Sequence, residues 1–362
     1  MIYFTPGPTQ LHPEVPAAMR EAESRGLLSL SHRSPEFTGT VASTVEALRE
    51  LLSVPRDHEI FFLGSATECM DRILWGAVKQ HSLHLVNGAF ARRFHQLGLE
   101  LGLGAEAAEV PDGEGFSTVE LPSHSELVAL TQNETSTGVA IPPDWIAALA
   151  RRHPSVLVAV DVVSGWPHAE VELELVDAAF FSVQKGFGLP AGLGVMVASP
   201  RLLERARTLR REVPTRGGGY HNLLSLAQAA SRSQTVATPN MLAIHLLGVV
   251  ARAYLRDGVP ELRDATVRKA RLFYEAVEAL PGWRPFVARV DHRSPTVVVA
   301  QREDGVEVQT LQRHLRDGGM EVGGGYGAWK EKHLRFANFP VHSMEDVERL
   351  VHMLTEVSRR TP

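Results

Sequence analysis

The middle of this 362-residue chain alternates short apolar runs with segments of helix length. Residues 83–86, 127–130, 156–160, 178–183 and 193–198 form the runs, and most are apolar throughout rather than at every second position. A strand exposed on one face alternates apolar with polar side chains, whereas a strand covered on both faces does not. Helix-length stretches such as residues 143–152 separate several of the runs. Parallel strands need a crossover connection, so this alternation predicts a mostly parallel sheet with helices on both sides. The first three-quarters of the chain therefore read as one large α/β unit.

The pattern changes after about residue 240. A long helical stretch, residues 241–256, runs into the breaker cluster Asp257-Gly258-Val259-Pro260. Beyond it a second helix, a strand at 296–300, a helix at 308–316 and a strand at 334–337 suggest a smaller α+β unit. Ser343 then opens a final amphipathic helix with Val347, Leu350, Val351 and Leu354 on one face.

With 44% hydrophobic and 22% charged residues, the chain has a globular balance that excludes a disordered tail, a collagen-like fibre and a disulfide scaffold. A net charge of −5 gives no global basic field, so neither nucleic acid nor a membrane is expected as a partner. The single cysteine, Cys69, can form no internal disulfide and fits a reducing compartment. The first ten residues lack the charged start and apolar stretch of a signal peptide, and no apolar run approaches the roughly 18 residues that cross a bilayer. A cytoplasmic location is expected. The 16 histidines show no metal-ligand spacing, so no metal is expected either.

Only five of the 37 basic residues are lysines, and Lys185 is the one outside a helical or charged context. It follows Phe180-Phe-Ser-Val-Gln184 and precedes Gly186-Phe-Gly-Leu-Pro-Ala-Gly-Leu-Gly194. That puts an amine just past the carboxyl end of a buried strand, where α/β sheets place their active sites. A partly desolvated ammonium has a lowered pKa, which suits a Schiff-base nucleophile. The competing reading is a structural lysine that caps a carbonyl. Asp161 ends the apolar run 156–160 and tilts the balance, because a buried acid needs a partner and a cationic ring nitrogen is one. Pyridoxal 5′-phosphate requires both groups, a lysine for its aldehyde and a carboxylate for its pyridine nitrogen. An N-cap or turn role is the commoner explanation for Asp161 taken alone.

Other strand ends supply the remaining chemistry. Ser65 and Glu68, in Leu63-Gly-Ser-Ala-Thr-Glu68, have capping-box spacing ahead of a helix, whose free amides can bind a phosphate. Most capped helices bind nothing. Phe90, directly after another strand, is placed to lie against a ring or to join the core, and the Thr135 hydroxyl to reach a cofactor oxygen or to stabilise a turn. Two arginine sites, at Ser31-His-Arg-Ser34 and at Arg335, offer bidentate carboxylate clamps among many solvated arginines.

These residues resemble the fold-type I, class V pyridoxal-phosphate aminotransferases, in particular their phosphoserine aminotransferase-like branch. The resemblance runs nearly end to end through Phe4-Thr-Pro-Gly-Pro8, Ser31-His-Arg-Ser-Pro-Glu-Phe37, Asn133-Glu-Thr-Ser-Thr-Gly138, Ser182-Val-Gln-Lys-Gly-Phe-Gly-Leu-Pro-Ala-Gly192, Ala237-Thr-Pro-Asn240 and Arg335-Phe-Ala-Asn-Phe-Pro340. It implies a large cofactor domain, residues 14–256, with a mostly parallel seven-stranded sheet, and a small α+β domain of residues 1–13 and 257–362. It further implies a homodimer with shared active sites. By position, Lys185 becomes the cofactor-binding lysine, Asp161 the partner of the ring nitrogen, Phe90 the ring-face aromatic and Thr135 the contact to the phenolic oxygen. Ser65, Ala66, Thr67 and Gln184 surround the phosphate, joined by Thr238 from the second subunit. Arg335 takes the substrate α-carboxylate, while His32 and Arg33 take the distal phosphate or carboxylate.

Three positions depart from that branch. Thr67 replaces an arginine that contacts substrate phosphate, Gly323-Gly-Gly-Tyr-Gly327 replaces a His-Arg region, and Ala237 replaces an asparagine. The implied activity is ping-pong amino transfer of the phosphoserine:2-oxoglutarate type, as in serine biosynthesis. Its alternative is an alanine- or serine–glyoxylate-type aminotransferase acting on a small unphosphorylated substrate. Cysteine desulfurase chemistry is disfavoured because Cys69 falls within a helix, and a catalytically idle binding protein because Lys185 and Asp161 are both present.

Overall fold

The computed structural model describes residues 1–303 and 307–360. Seven strands form the large sheet, in the order Glu59–Leu63, Gly194–Ala198, Ala178–Ser182, Leu157–Asp161, Leu127–Thr131, His81–Val86 and Gly104–Glu109. All run in one direction except Gly194–Ala198, which is antiparallel to both of its neighbours. The reversal has a local cause. No helix separates Ala178–Ser182 from Gly194–Ala198, and without a crossover the chain must turn back.

Helices Pro35–Leu51, Pro143–Arg152 and Met241–Asp257 cover one face of this sheet, and Ala66–Ala77, Ala89–Glu100, Pro200–Glu212 and Leu223–Ala230 cover the other. Along Ala178–Ser182, Ala179 and Phe181 enter the first layer while Ala178 and Phe180 enter the second. Full burial of a phenylalanine contributes about 1.5–3 kcal/mol, so both faces demand apolar residues and the strands read as unbroken runs. Gly104–Glu109 is the exception, an edge strand with no fully buried residue, and its alanines and glutamates give no apolar run to find.

A second sheet is ordered Ile2–Phe4, Met320–Gly324, His333–Ala337, Val297–Arg302 and Trp283–Pro285, with only the first pair parallel. Helices Val259–Ala279, Val308–Asp317 and Met344–Arg360 pack on it. Phe4 lies in that core beside Phe273 and Phe336, so the first strand joins elements from the last third of the chain. The segment after Phe4 is thereby carried back toward the large sheet, where the backbone N–H of Thr9 donates to the carbonyl of Gln184. No helix among the described residues is long and apolar enough to cross a membrane.

Candidate active site

Asp161 and Thr131 are the last residues of adjacent parallel strands, and Lys185 follows the next strand by three residues. Ligands of open α/β sheets bind at such carboxyl ends. A cavity of about 870 Å³, part of it open to solvent, lies there. Ser65, Ala66, Thr67, Phe90, Thr135, Asp161, Gln184 and Lys185 all line it.

Lys185 is only 7% exposed. Its Nζ donates to the carbonyl of Pro6 and lies 5.6 Å from the centroid of the Phe90 ring. The approach is close enough that a Cβ on Gly7 would sit 2.4 Å from Nζ. Burial pulls the ammonium down to about 8, and the nearby Arg335 guanidinium acts in the same direction. A substantial fraction of the amine is then neutral near physiological pH and able to attack a carbonyl.

Asp161 is 2% exposed. Its Oδ1 accepts the Val163 N–H at 2.8 Å, and no described cation forms an ion pair with it. Burial pushes its carboxyl up to about 7; the Val163 N–H opposes this, Glu134 adds to it, and Lys185 and Arg93 hold it back. A buried carboxylate lacking a cationic partner is costly, and a protonated ring nitrogen in the cavity satisfies it.

Ser65 caps the helix Ala66–Ala77, accepting the Glu68 N–H at 3.1 Å, while Glu68 Oε2 accepts the Gly64 N–H at 2.7 Å. The Ala66 N–H donates to Ser182 Oγ at 3.0 Å. This helix start faces the cavity, where its dipole and the Ser65, Thr67 and Ser182 hydroxyls favour a phosphate. A Cβ on Gly194 would fall 2.4 Å from the Ser65 carbonyl carbon, so the antiparallel strand holds this cradle from beneath.

Two residues that sequence reasoning did not single out organise the rest. Glu134, fully buried, accepts the N–H groups of Phe90, Ala91 and Ser136 and the Ser136 hydroxyl, at 2.7–3.0 Å. Burial raises its pKa, against the pull of these donors. Ser164, also buried, donates to the Asn133 carbonyl and accepts from Asn133 Nδ2 and Thr135 Oγ1, each at 2.8 Å. The Thr135 hydroxyl proton is therefore directed to Ser164. Glu134 sits inside the motif Asn133–Gly138 and Ser164 three residues after Asp161, and only the fold reveals what they touch.

Arg335, on the strand His333–Ala337, donates from Nε to Gly324 O at 2.7 Å and from Nη1 to Thr135 O at 3.1 Å. Burial lowers its guanidinium to about 10. Arg335 does not line the cavity itself but bonds to Thr135, which does, and the remaining expected residues lie elsewhere within one chain. Thr238 Oγ1 is 3.1 Å from His32 Nδ1, and Arg33 donates to Gln234 at 3.0 Å. None of these lines the Lys185 cavity; Thr238 instead lines an adjoining hollow with Gly64, Glu68 and Gly192. At the far edge of the sheet, His81, Glu106 and His124 bring one donor atom each within 4.8 Å of one another, a grouping that no sequence spacing announces.

A neutral-capable amine, an unpaired buried acid and a helix start sharing one cavity fit pyridoxal 5′-phosphate, whose aldehyde, ring nitrogen and phosphate need those three partners. Comparison with known proteins agrees. The aminotransferase class-V family model matches residues 1–350. A phosphoserine aminotransferase from Cytophaga hutchinsonii superposes with a TM-score of 0.95 at 38% identity, covering 98% of both chains. The phosphoserine aminotransferase of Rhodococcus jostii is 28% identical over 96% of this chain and 92% of its own. A subgroup IV aspartate aminotransferase from Thermus thermophilus superposes with a TM-score of 0.86 at 26% identity, covering 100% of each chain. The chain belongs to the class-V aminotransferases.

Proposed function

We propose that the protein is a pyridoxal-phosphate-dependent aminotransferase of the phosphoserine:2-oxoglutarate type. One observation carries the chemistry: Lys185 and Asp161, far apart in sequence, are both buried in a single cavity. The names of the Cytophaga and Rhodococcus relatives support phosphoserine as one substrate.

Pyridoxal phosphate supplies, when bound, an aldehyde for amine capture and a ring that draws off the electrons freed at the substrate α-carbon. The protein's residues do the rest. Asp161 would accept the hydrogen bond of the protonated ring nitrogen and keep that nitrogen cationic. Lys185 Nζ would take the proton from the substrate α-carbon and hand it to the cofactor carbon that keeps the amino nitrogen. Arg335 holds the α-carboxylate, Phe90 covers the ring and excludes water, and the Ser65–Thr67 turn with Gln184 binds the phosphate. The amino acid leaves as an oxo acid before an acceptor enters, which makes the cycle ping-pong.

The large domain of this reading is residues 14–256, and the small one is 1–13 with 257–362. His32, Arg33 and Thr238 act in a homodimer, each completing the partner's site; their separation from the Lys185 cavity within one chain supports this. A cytoplasmic location is in keeping with the lone buried thiol of Cys69.

A second reading, transfer from alanine or serine to glyoxylate, is favoured by Thr67 and by the glycines at 323–325, which leave those positions without cationic side chains. Half-reactions separate the two. Protein reconstituted with pyridoxal phosphate should show its lysine-bound visible absorbance, which Lys185→Ala abolishes. Phosphoserine and glutamate should discharge that absorbance more efficiently than alanine or serine. Preference for alanine or serine would establish the second reading, and protein that never takes up the cofactor would refute both.

A further inference from the structure

Arg93 stands one helical turn after Phe90 on the helix Ala89–Glu100 and lines the same cavity from its rim. Its neighbour Arg92 is paired with Glu109 at 2.5 Å, but no described carboxylate pairs with Arg93. The Arg93 guanidinium lies 5.4 Å from the Phe90 ring centroid, and Nη2 donates to the Tyr326 hydroxyl at 3.3 Å. The Tyr326 ring sits 5.3 Å from Phe90 and 5.6 Å from the Arg335 guanidinium. One tyrosine thus stands between two guanidinium groups, of which Arg93 lines the cavity and Arg335 lies behind its lining.

The glycine run at 323–325 explains how Tyr326 is held there. A Cβ on Gly323 would meet Pro6 Cδ at 2.5 Å, and one on Gly325 would meet the Trp329 carbonyl at 2.0 Å. Both glycines let the segment lie flat on its neighbours, and the first packs on the proline whose carbonyl receives Lys185. Close packing of this kind limits how far the tyrosine can move.

We propose that Arg93, positioned by Tyr326, is the receptor for the second anionic group of the substrate, with Arg335 taking the α-carboxylate. The cavity then selects amino and oxo acids whose side chains end in anionic oxygens. This inference rests on the aminotransferase reading. An arginine facing a carboxylate or phosphate makes two parallel charge-assisted hydrogen bonds, and the missing carboxylate partner leaves Arg93 free to make them. Tyr326 offers a hydroxyl at the same place.

The test uses the cofactor-loaded enzyme. Glutarate and butyrate, which do not react, are titrated against the cofactor absorbance, and efficiencies with glutamate, phosphoserine and alanine are measured separately. Arg93→Met should weaken glutarate relative to butyrate by about 10- to 100-fold. It should lower the glutamate-to-alanine or phosphoserine-to-alanine efficiency ratio by a similar factor, chiefly through KM. Arg93→Lys should restore part of the loss, and Tyr326→Phe should show a smaller one. A loss confined to glutamate assigns the receptor to carboxylates, and one confined to phosphoserine assigns it to phosphates. Equal weakening of glutarate and butyrate, or unchanged ratios in Arg93→Met, overturns the proposal. Wild-type protein that binds the cofactor but converts none of the three amino acids overturns the aminotransferase reading instead.

Discussion

Glu134 Oε2 accepts the backbone N–H groups of both Phe90 and Ala91 at 3.0 Å, which ties the helix carrying Phe90 to the rim of the cavity. Its other oxygen takes the N–H and hydroxyl of Ser136. Every donor around this carboxylate points inward, so Glu134→Gln must aim an amide N–H at another N–H on one side. That variant should lose about 2–4 kcal/mol of stability, the usual cost of an unsatisfied buried group near a charge site. Urea unfolding checks the loss, and weaker uptake of pyridoxal phosphate should accompany it because Phe90 is no longer fixed. Unchanged stability would mean that Glu134 is neutral and already a donor.

Asp161 stores instability in the cofactor-free protein. Its carboxyl sits at about 7 when folded and at the ordinary 3.8 when unfolded. Between these values the folded state keeps a proton that the unfolded state has released, so stability falls as pH rises from about 4 to 7 and levels off above. The shift corresponds to roughly 4 kcal/mol. Asp161→Asn should flatten this part of the pH–Tm curve without cofactor and be the more stable form at pH 8. The same variant should lose about 100-fold or more in turnover, since nothing keeps the ring nitrogen cationic. Identical pH–Tm curves for the two proteins would refute the account.

The legibility of these features in the sequence followed their chemistry. Buried parallel strands announce themselves because both faces must be apolar, as in Ala178–Ser182, and Lys185 and Asp161 stood out as polar residues at the ends of such runs. The edge strand Gly104–Glu109 had no such constraint and stayed hidden. Glu134, Ser164 and Arg93 were invisible for a different reason. Their roles are set by partners 30 to more than 200 positions away in the chain, among them Asn133 for Ser164 and Tyr326 for Arg93, and no local pattern encodes those meetings.

Lys185 should show its depressed pKa directly in the kinetics of reconstitution. Only the neutral amine attacks an aldehyde, so the rate at which apoprotein captures pyridoxal phosphate should rise with pH and level off through about 8. An ordinary lysine would carry that rise past pH 10. The stability sign runs with it: above about 8 the folded state has released a proton that the unfolded state holds, so this residue's contribution to stability increases up to about 10.5. Stopped-flow absorbance over this range decides the matter, with Lys185→Arg as the silent control.

Gly194 offers the cleanest separation of cofactor phosphate binding from the amine chemistry. A Cβ there would lie 2.4 Å from the Ser65 carbonyl carbon and 2.5 Å from its oxygen, and both are backbone atoms that cannot swing aside. Gly194→Ala must therefore push the start of the helix Ala66–Ala77 away from the sheet, breaking the Ala66 N–H bond to Ser182. Lys185 and Asp161 lie on other segments and keep their places. The variant should bind pyridoxal phosphate about 10-fold or more weakly while its affinity for pyridoxal, which has no phosphate, changes far less. Equal losses for the two ligands would show that the helix start is not the phosphate cradle, and a match to wild type would show that the strand can yield instead.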